Sequence, residues 1–379
     1  MVTEKNIMKC SACKFDIDDV AFFCPQCGTR INREAQIAVP VQRRFSHDVS
    51  EFWPEWEITE QIMTDVAEVV YKAVKTDDGK SFSTIKVLTV SPETVCDEDS
   101  DGSISPDSVK TICHNAVNCI MNEIRLRDVL RNADTIVNTD DFKIIEKTDE
   151  CKWEIYIRMD YVVPFDLYIC DKMLSEQEVI KLGCDICSAL EVCEERKIIH
   201  SNINPGNITV DRNGTFLLDG FKAEKMFSGA LEVGRRASFT FAAPEILGCI
   251  KYTSKVDTYS LGLLMYTLMN RNRIPFLSPT KQLLTIGEKR NAVRRRMEGE
   301  LIPPPLDASE KLAEIILRAC EFKPEDRFES ATEMKSALIA ISKNPYPPIT
   351  EKTVEEKNKT ETKNTNNHKR GIRRFFLSK

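Results

Sequence analysis

The order of its secondary-structure patterns is the feature that most constrains this 379-residue chain. The segments EVVYKAV and FSTIKVLTV have strand-like composition, and the Asp78-Gly79 pair between them is a strong hairpin signal. Helical patterns dominate from about residue 176 onward, and the sequence predicts helices over 176–196, 254–270, 280–297 and 309–321. Strands followed by helices predict an α+β fold of two lobes, a small β-rich one and a larger helical one.

A long amphipathic helix is predicted between these two parts. Apolar residues from Val109 to Ile124 recur at i, i+3 and i+4 spacing over four turns. The preceding Ser105-Pro106-Asp107 combines an N-cap residue, a proline for the first turn and an early acid. A second hairpin is predicted later in the chain, with Asn213-Gly214 at its tip.

Composition divides the chain into four regions. We expect a small cysteine-rich domain over 8–30, a linker over 31–50, the main folded domain over 51–342 and a disordered polar tail over 343–379. Hydrophobic residues make up 42% of the chain and charged residues 30%, which is enough apolar side chain for a core. The net charge of −6 disfavours a nucleic-acid-binding function.

Signals for membranes and for secretion are weak. No apolar stretch precedes the first cysteine, and the longest apolar run, Leu261 to Met269, is far shorter than the roughly 20 residues of a membrane span. We therefore expect a soluble, cytoplasmic protein without a transmembrane segment. The basic and aromatic end, His368 to Lys379, is either a flexible terminus or a contact for an anionic membrane surface or a partner groove.

Four of the 14 cysteines form two closely spaced pairs, Cys10-Ser-Ala-Cys13 and Cys24-Pro-Gln-Cys27. Four thiolates on two tight turns match the tetrahedral coordination of Zn²⁺, with sulfur at about 2.3 Å. A segment this small needs the free energy of metal binding to fold. The pattern predicts a structural zinc ribbon with all four positions filled by protein, although unligated thiols remain the alternative. Its few basic residues favour contact with protein.

A series of motifs then follows in a fixed order along residues 51–342: IMTDVAEVVYKA, SFSTIKVL with Lys86, the long helix with Glu123, WEIYIRMDYV with Met159, IIHSNINPGNITV, LLDGF, AAPE, VDTYSLGLLMYTLM and KPEDRF. This set resembles the motifs of the protein kinase family. The resemblance implies a two-lobed kinase-like fold, with Lys86 as the phosphate-binding lysine and Glu123 as its partner. It also implies that Arg327 pairs with Glu245.

The resemblance is incomplete in the glycine-rich loop. The three glycines of the family fall on Met63, Asp65 and Glu68 in this sequence. Side chains at these positions prevent close approach of the backbone to phosphate, and two of the three are anionic. Placing carboxylates beside a triphosphate is repulsive.

The catalytic loop departs from the family pattern as well. The catalytic aspartate is replaced by Asn202, which cannot act as a base, and losing general-base help costs about 10²–10⁴-fold in rate. The lysine that steadies the transferred phosphate is replaced by Asn204, and the activation arginine by Ser201. The order Asp-Phe-Gly becomes Asp219-Gly220-Phe221, which removes the hydrophobic residue that usually follows the aspartate.

Four residues of the family's nucleotide site are retained: Lys86, Glu123, Asn207 and Asp219. They leave open a site for ATP with Mg²⁺. They equally allow a purely structural role, in which Lys86 and Glu123 tie helix to sheet and Asp219 pairs with Lys86. We therefore expect a pseudokinase that serves as a regulatory or scaffolding module for protein partners. The alternatives are an atypical active Ser/Thr kinase that transfers the ATP γ-phosphate to protein hydroxyls, and a nucleic-acid-associated regulator.

Overall fold

The structure is a computed structural model, in which the chain divides into an N-terminal unit and a larger second unit. It describes residues 7–9, 16–18, 45–95, 106–131, 133–147, 150–170, 172–221, 240–247, 252–278, 280, 281 and 283–342. In the N-terminal unit, β1 (Ile7–Lys9) and β2 (Asp16–Asp18) pair antiparallel. The cysteines predicted to bind zinc, Cys10, Cys13, Cys24 and Cys27, and the predicted tail 343–379 lie outside the described residues.

The second unit begins with a five-stranded antiparallel sheet in the order β3-β4-β5-β7-β6. Its strands are β3 (Trp56–Thr64), β4 (Glu68–Lys75), β5 (Phe82–Val90), β6 (Thr139–Lys147) and β7 (Lys152–Asp160). The predicted hairpin between β4 and β5 is confirmed. Gly79 has φ +62° in its turn, and the Asp78 carboxylate accepts hydrogen bonds from the backbone N–H groups of Lys80 and Ser81 at 2.8 and 2.9 Å.

The predicted amphipathic helix is α2 (Pro106–Val129), which follows the short helix α1 (Pro92–Val95). Its apolar side and the sheet form one buried cluster, which includes Cys113, Ala116, Ile124, Trp153, Ile155 and Ile157. The central strands β5 and β7 therefore lie in a core, and α2 lies over them. This packing brings Lys86 on β5 and Arg127 on α2 into contact with the same side chain, Asp219.

A short segment before the sheet packs against it. Val49 and Trp53 are only 2% and 3% exposed, and the Trp53 indole N–H donates to Asp141 Oδ2 at 2.8 Å. Phe52 packs edge-to-face on Tyr156, with ring centroids 4.9 Å apart. Residues 48–50, the end of the predicted linker, therefore belong to the same unit as the sheet.

The connection from the sheet to the helices runs through β8 (Val163–Pro164) and α3 (Phe165–Tyr168). β8 joins the predicted second hairpin, β9 (Ile208–Val210) and β10 (Phe216–Leu218), in a three-stranded antiparallel sheet of order β10-β9-β8. Gly214 has φ +77° in the hairpin turn, as the Asn-Gly signal predicts. The end of β10 leads directly into Asp219.

The second half of the unit is helical, as predicted. Its helices are α4 (Glu176–Glu195), α5 (Pro244–Leu247), α6 (Lys255–Leu268), α7 (Ile286–Met297), α8 (Glu310–Ala319) and α9 (Ala331–Ile341). α6 is buried on all sides, and an added Cβ at Gly262 would lie 2.6 Å from Ala319 Cβ on α8. α7 begins six residues later than the predicted range 280–297, because Thr285 forms its N-cap with a capping box to Glu288.

A buried ion pair ties α5 to the loop before α9. Arg327, 2% exposed, donates to both carboxylate oxygens of Glu245 at 2.6 and 3.0 Å. It also donates to the backbone carbonyl oxygens of Glu321 and Phe322. The pairing implied by the sequence motifs is confirmed. No helix among the described residues is both long and apolar enough to cross a membrane.

Candidate functional site

Lys86 lies on the central strand β5, and its ammonium group contacts two carboxylates. Nζ is 3.2 Å from Glu68 Oε1 and 3.3 Å from Asp219 Oδ2, and the side chain is 18% exposed. Burial would lower the pKa of Lys86, but the negative charges of Glu68 and Asp219 outweigh burial and raise that pKa. Lys86 is therefore cationic at neutral pH.

The expected pair of Lys86 with Glu123 is wrong. The ion pair of Glu123 is formed instead with Arg127, one turn further along α2, whose Nη2 lies 2.5 Å from Glu123 Oε1. The guanidinium of Arg127 also contacts Asp219 Oδ1. Glu123 and Asp219 therefore contact the same guanidinium nitrogen, Nη2, whose two N–H groups can serve two acceptors.

Arg127 is a residue of this site that the motif comparison did not identify. It is only 2% exposed, and burial would lower its pKa, but Asp219 and Glu123 raise that pKa above the usual value. Its signal in the sequence is its position, because it extends the apolar face of α2 one turn beyond Ile120 and Ile124. A charged residue on such a face needs a buried partner.

Asp219 is the centre of the cluster. Its Oδ2 faces Lys86, and its Oδ1 faces Arg127 and accepts the Gly220 backbone N–H at 2.8 Å. Burial would raise the pKa of Asp219, but Arg127 and Lys86 lower it well below the usual value. Asp219 is therefore ionised, and each of its oxygens is engaged by a cation. The pairing with Lys86 that the sequence allowed is confirmed.

Asp257, at the start of α6, holds the loop that corresponds to the catalytic loop. Its carboxylate oxygens accept the backbone N–H groups of His200 and Ser201 at 2.9 and 2.7 Å. Ser201 has φ +54°, an uncommon conformation for a non-glycine residue, and this pair of hydrogen bonds helps to maintain it. These hydrogen bonds anchor the loop to α6, although three of its family residues are replaced, by Ser201, Asn202 and Asn204.

Three asparagines follow in this loop and bond mainly to one another. The backbone oxygen of Asn202 accepts from the side-chain amides of Asn204 and Asn207 at 2.9 and 2.8 Å. The other end of the Asn204 side chain accepts the Gly206 N–H at 2.9 Å and caps the short 3₁₀ helix Pro205–Asn207. Asn204 thus has a local structural role at the position of the family's lysine.

Gly220 and Phe221 follow Asp219 and pack against the loop that contains His200 and Asn207. Gly220 has φ +73°, and an added Cβ would lie 2.2 Å from Asn207 Oδ1, so only glycine fits here. Phe221, 1% exposed, packs edge-to-face on His200 with ring centroids 4.7 Å apart. The reordered Asp-Gly-Phe segment therefore places its aromatic ring against the loop histidine.

The turn between β3 and β4 replaces the glycine-rich loop. The Asp65 N–H donates to the Glu68 carbonyl oxygen at 2.7 Å, and the Asp65 carboxylate accepts the Val66 N–H at 2.8 Å. Asp65 thus closes the turn, while Glu68 directs its carboxylate to Lys86.

The segment that follows β7, next to Met159, is hydrogen-bonded by the side chain of Thr84. The Thr84 hydroxyl accepts the Val162 N–H at 2.9 Å and donates to the Val162 carbonyl oxygen at 3.1 Å. Thr84 is 1% exposed and lies two residues before Lys86 on β5. Sequence reasoning missed Thr84, because threonine is an ordinary residue in a strand.

Two of the residues predicted to bind ATP with Mg²⁺, Lys86 and Asp219, contact charged groups of the protein itself. Both oxygens of Asp219 face protein cations. The Asn207 side chain donates to the Asn202 backbone oxygen through its amide nitrogen, which is not the atom that would bind a metal. Lys86 faces the carboxylate of Glu68. The cluster brings together Lys86, Glu123 and Asp219 through Arg127 and Glu68, and the result is a closed network of ion pairs.

Comparison with known proteins gives a consistent match. The family model "Protein kinase domain" matches residues 66–339. The serine/threonine-protein kinase PknB of Mycolicibacterium smegmatis is 25% identical over 210 residues, which cover 51% of this chain and 31% of PknB. The mouse serine/threonine-protein kinase Nek1 is 25% identical over 193 residues, 49% of this chain and 15% of Nek1.

A probable serine/threonine-protein kinase of Clostridium perfringens is 25% identical over 246 residues, which cover 62% of this chain and 35% of that protein. The chain therefore spans about a third or less of the length of these curated relatives. The matched region contains four of the five strands of the large sheet, β4 to β7, together with α2, the ion-pair cluster and the helices as far as residue 339 in α9.

Proposed function

The chain belongs to the protein kinase domain family, and on this premise we propose that it is a pseudokinase. In this proposal the kinase-like domain acts as a regulatory or scaffolding module that binds protein partners. The alternative is an atypical active Ser/Thr kinase, which would rely on the retained Lys86, Asn207 and Asp219.

The observation that carries the proposal is the chemistry at Asn202. Transfer to a hydroxyl group requires an acceptor for its proton, and an amide side chain has no basic oxygen. The neighbouring carboxylates cannot easily replace it, because Asp257 accepts two backbone N–H groups and Asp219 is engaged by Lys86 and Arg127. The position of Asn204 also lacks the cation that would steady a transferred phosphate.

A phosphotransfer assay tests the proposal. Full-length protein with Mg²⁺ or Mn²⁺, radiolabelled ATP and generic protein substrates should incorporate no more label than the matched Asp219→Ala variant. An active kinase would instead give autophosphorylation or substrate labelling that disappears in Asp219→Ala, and that result would overturn the pseudokinase assignment. An Asn202→Asp variant serves as a further comparison, because it restores the carboxylate alone.

We also propose that Cys10, Cys13, Cys24 and Cys27 bind one structural Zn²⁺. The spacing of the two pairs supports this proposal, as does the antiparallel pairing of β1 and β2, because Cys10 and Cys13 lie in the sequence between these two strands. Such a ribbon would fold on binding the metal. In this proposal the ribbon provides a protein-binding surface in addition to that of the kinase-like domain.

A further inference from the structure

We propose that three side chains of this protein occupy the ligand positions of its own kinase pocket. Glu68 takes the place of a nucleotide phosphate, Arg127 takes the place of a metal ion, and Thr84 takes the place of a base edge. The pocket would therefore be filled without nucleotide. This inference concerns binding, so it stands or falls independently of whether the protein transfers phosphate.

The first substitution is an anion for an anion. Lys86 is the residue that would bind a phosphate oxygen, and in this structure its ammonium group lies 3.2 Å from Glu68 Oε1. The carboxylate comes from the turn that would otherwise cover the phosphates with glycine backbone. A triphosphate can reach Lys86 only if Glu68 leaves, because two anions at one partly buried position repel each other.

The second substitution is a cation for a cation. Asp219 is the residue that would hold a divalent metal, and its Oδ1 is in contact with the guanidinium of Arg127. Arg127 lies on α2 and is 2% exposed, and the nitrogen that contacts Asp219, Nη2, also lies 2.5 Å from Glu123 Oε1. A metal ion at this carboxylate would lie beside a buried positive charge that the fold cannot remove.

In the third replacement, a side-chain hydroxyl forms the backbone hydrogen bonds that a nucleotide base would form. A heterocyclic base is commonly recognised by neighbouring N–H and C=O groups of the backbone. The connecting segment offers such a pair at Val162, and the Thr84 hydroxyl bonds to both groups, at 2.9 and 3.1 Å. A hydroxyl can donate once and accept twice, so one threonine satisfies both.

All three contacts disfavour the binding of a nucleotide. Lys86 and Arg127 carry two positive charges, and Glu68, Glu123 and Asp219 carry three negative ones, so the cluster is close to neutral and slightly anionic without any ligand. Adding nucleotide would bring further negative charge. With the pocket filled by its own side chains, the conformation of the domain would not depend on the nucleotide concentration. Such independence is compatible with the proposed scaffolding role.

Isothermal titration with Mg²⁺-ATP tests the anion and base substitutions. The wild type should show no saturable binding at millimolar ATP, while Glu68→Ala with Thr84→Ala should gain at least about tenfold in affinity. The matched control is Glu60→Ala with Thr59→Ala, which removes an exposed carboxylate and an exposed hydroxyl from β3 and should gain nothing. Thermal unfolding of each variant verifies that it is folded.

The proposed replacement of a metal ion by Arg127 is tested separately, by the effect of Mg²⁺ on the affinity for ATP. In the Glu68→Ala, Thr84→Ala background, Mg²⁺ should not strengthen ATP binding while Arg127 is present. Adding Arg127→Met should create an enhancement by Mg²⁺ of about tenfold. If the variant with Arg127→Met does not fold, the Glu68→Ala, Thr84→Ala variant still tests the proposal. Stronger ATP binding in the presence of Mg²⁺ in that variant would contradict the role proposed for Arg127.

Two outcomes would overturn the proposal as a whole. One is wild-type protein that binds Mg²⁺-ATP as tightly as the double variant. The other is a folded double variant that gains no affinity. Binding without phosphotransfer would contradict this inference and leave the pseudokinase proposal intact, whereas phosphotransfer that depends on Asp219 would contradict the pseudokinase proposal first.

Discussion

Arg127 and Asp219 form a contact between two almost fully buried side chains, 2% and 4% exposed. Such a pair gives little net stability compared with apolar residues, because both charges lose their hydration on burial. The loss is large, however, when only one partner is removed, because the other charge is left uncompensated. The contact therefore fixes the position of α2 relative to the loop after β10 more than it stabilises the fold.

We predict that Arg127→Met lowers the free energy of unfolding by about 3–5 kcal/mol, because Asp219 and Glu123 lose their shared cation. Chemical denaturation monitored by circular dichroism measures the change. The control is Arg125→Met on the same helix, which removes an exposed arginine and should change stability by less than about 0.5 kcal/mol. Equal effects of the two substitutions would show that the cluster has no special role.

At the scale of elements, the first residue of several helices is set by a side chain that caps the helix N-terminus. α4 starts after Ser175, whose hydroxyl accepts the Glu178 N–H at 3.3 Å while the Glu178 carboxylate accepts the Ser175 N–H at 2.8 Å. α7 starts with the same capping box, formed by Thr285 and Glu288. These boxes decide the first residue of each helix, and tertiary packing decides how much of each is buried.

We predict that Ser175→Ala destabilises the domain by about 1 kcal/mol, because the first turn of α4 loses the acceptor for one backbone N–H. Ser188→Ala is the matched control. Ser188 lies in the middle of α4, where its hydroxyl bonds to the Cys184 carbonyl oxygen, and alanine is favourable in a helix interior. Equilibrium denaturation should therefore separate the two variants, and equal losses would argue against a capping contribution.

At the scale of the whole molecule, the chain combines an N-terminal unit with a kinase-like unit. The two have different sources of stability in our proposal. The kinase-like unit has an extensive apolar core around α4 and α6, whereas a short cysteine-rich segment depends on its metal.

We predict that the purified protein contains about one zinc ion per chain, the number that four cysteine ligands can hold. Elemental analysis measures this number, and Cys24→Ser should lower it. Chelation should remove hydrogen-exchange protection in residues 1–30 and leave the melting temperature of the kinase-like unit unchanged. Cys320→Ser is the control, because Cys320 is buried in the helical core. Zinc content unchanged by Cys24→Ser would contradict the proposed site.

The fold class was predictable because its signals are local. Alternation in β4 and β5, the Asp78-Gly79 turn and the apolar spacing on α2 each follow from a few neighbouring residues. β3, β6 and α9 were not predicted. The two strands lie at the edges of the sheet and are half-exposed, so their sequences lack a clear apolar alternation.

The sequence by itself determined which groups are present: an amide at Asn202, a carboxylate at Glu68 and a glycine at Gly220. Only the tertiary structure decided which charges meet. Lys86, Arg127 and Asp219 are far apart in the chain, and their distances depend on how α2 and β10 pack against the sheet. A pattern of residue types cannot distinguish Glu68 from Glu123 as the partner of Lys86, because Coulomb energy depends on separation in space and not along the sequence.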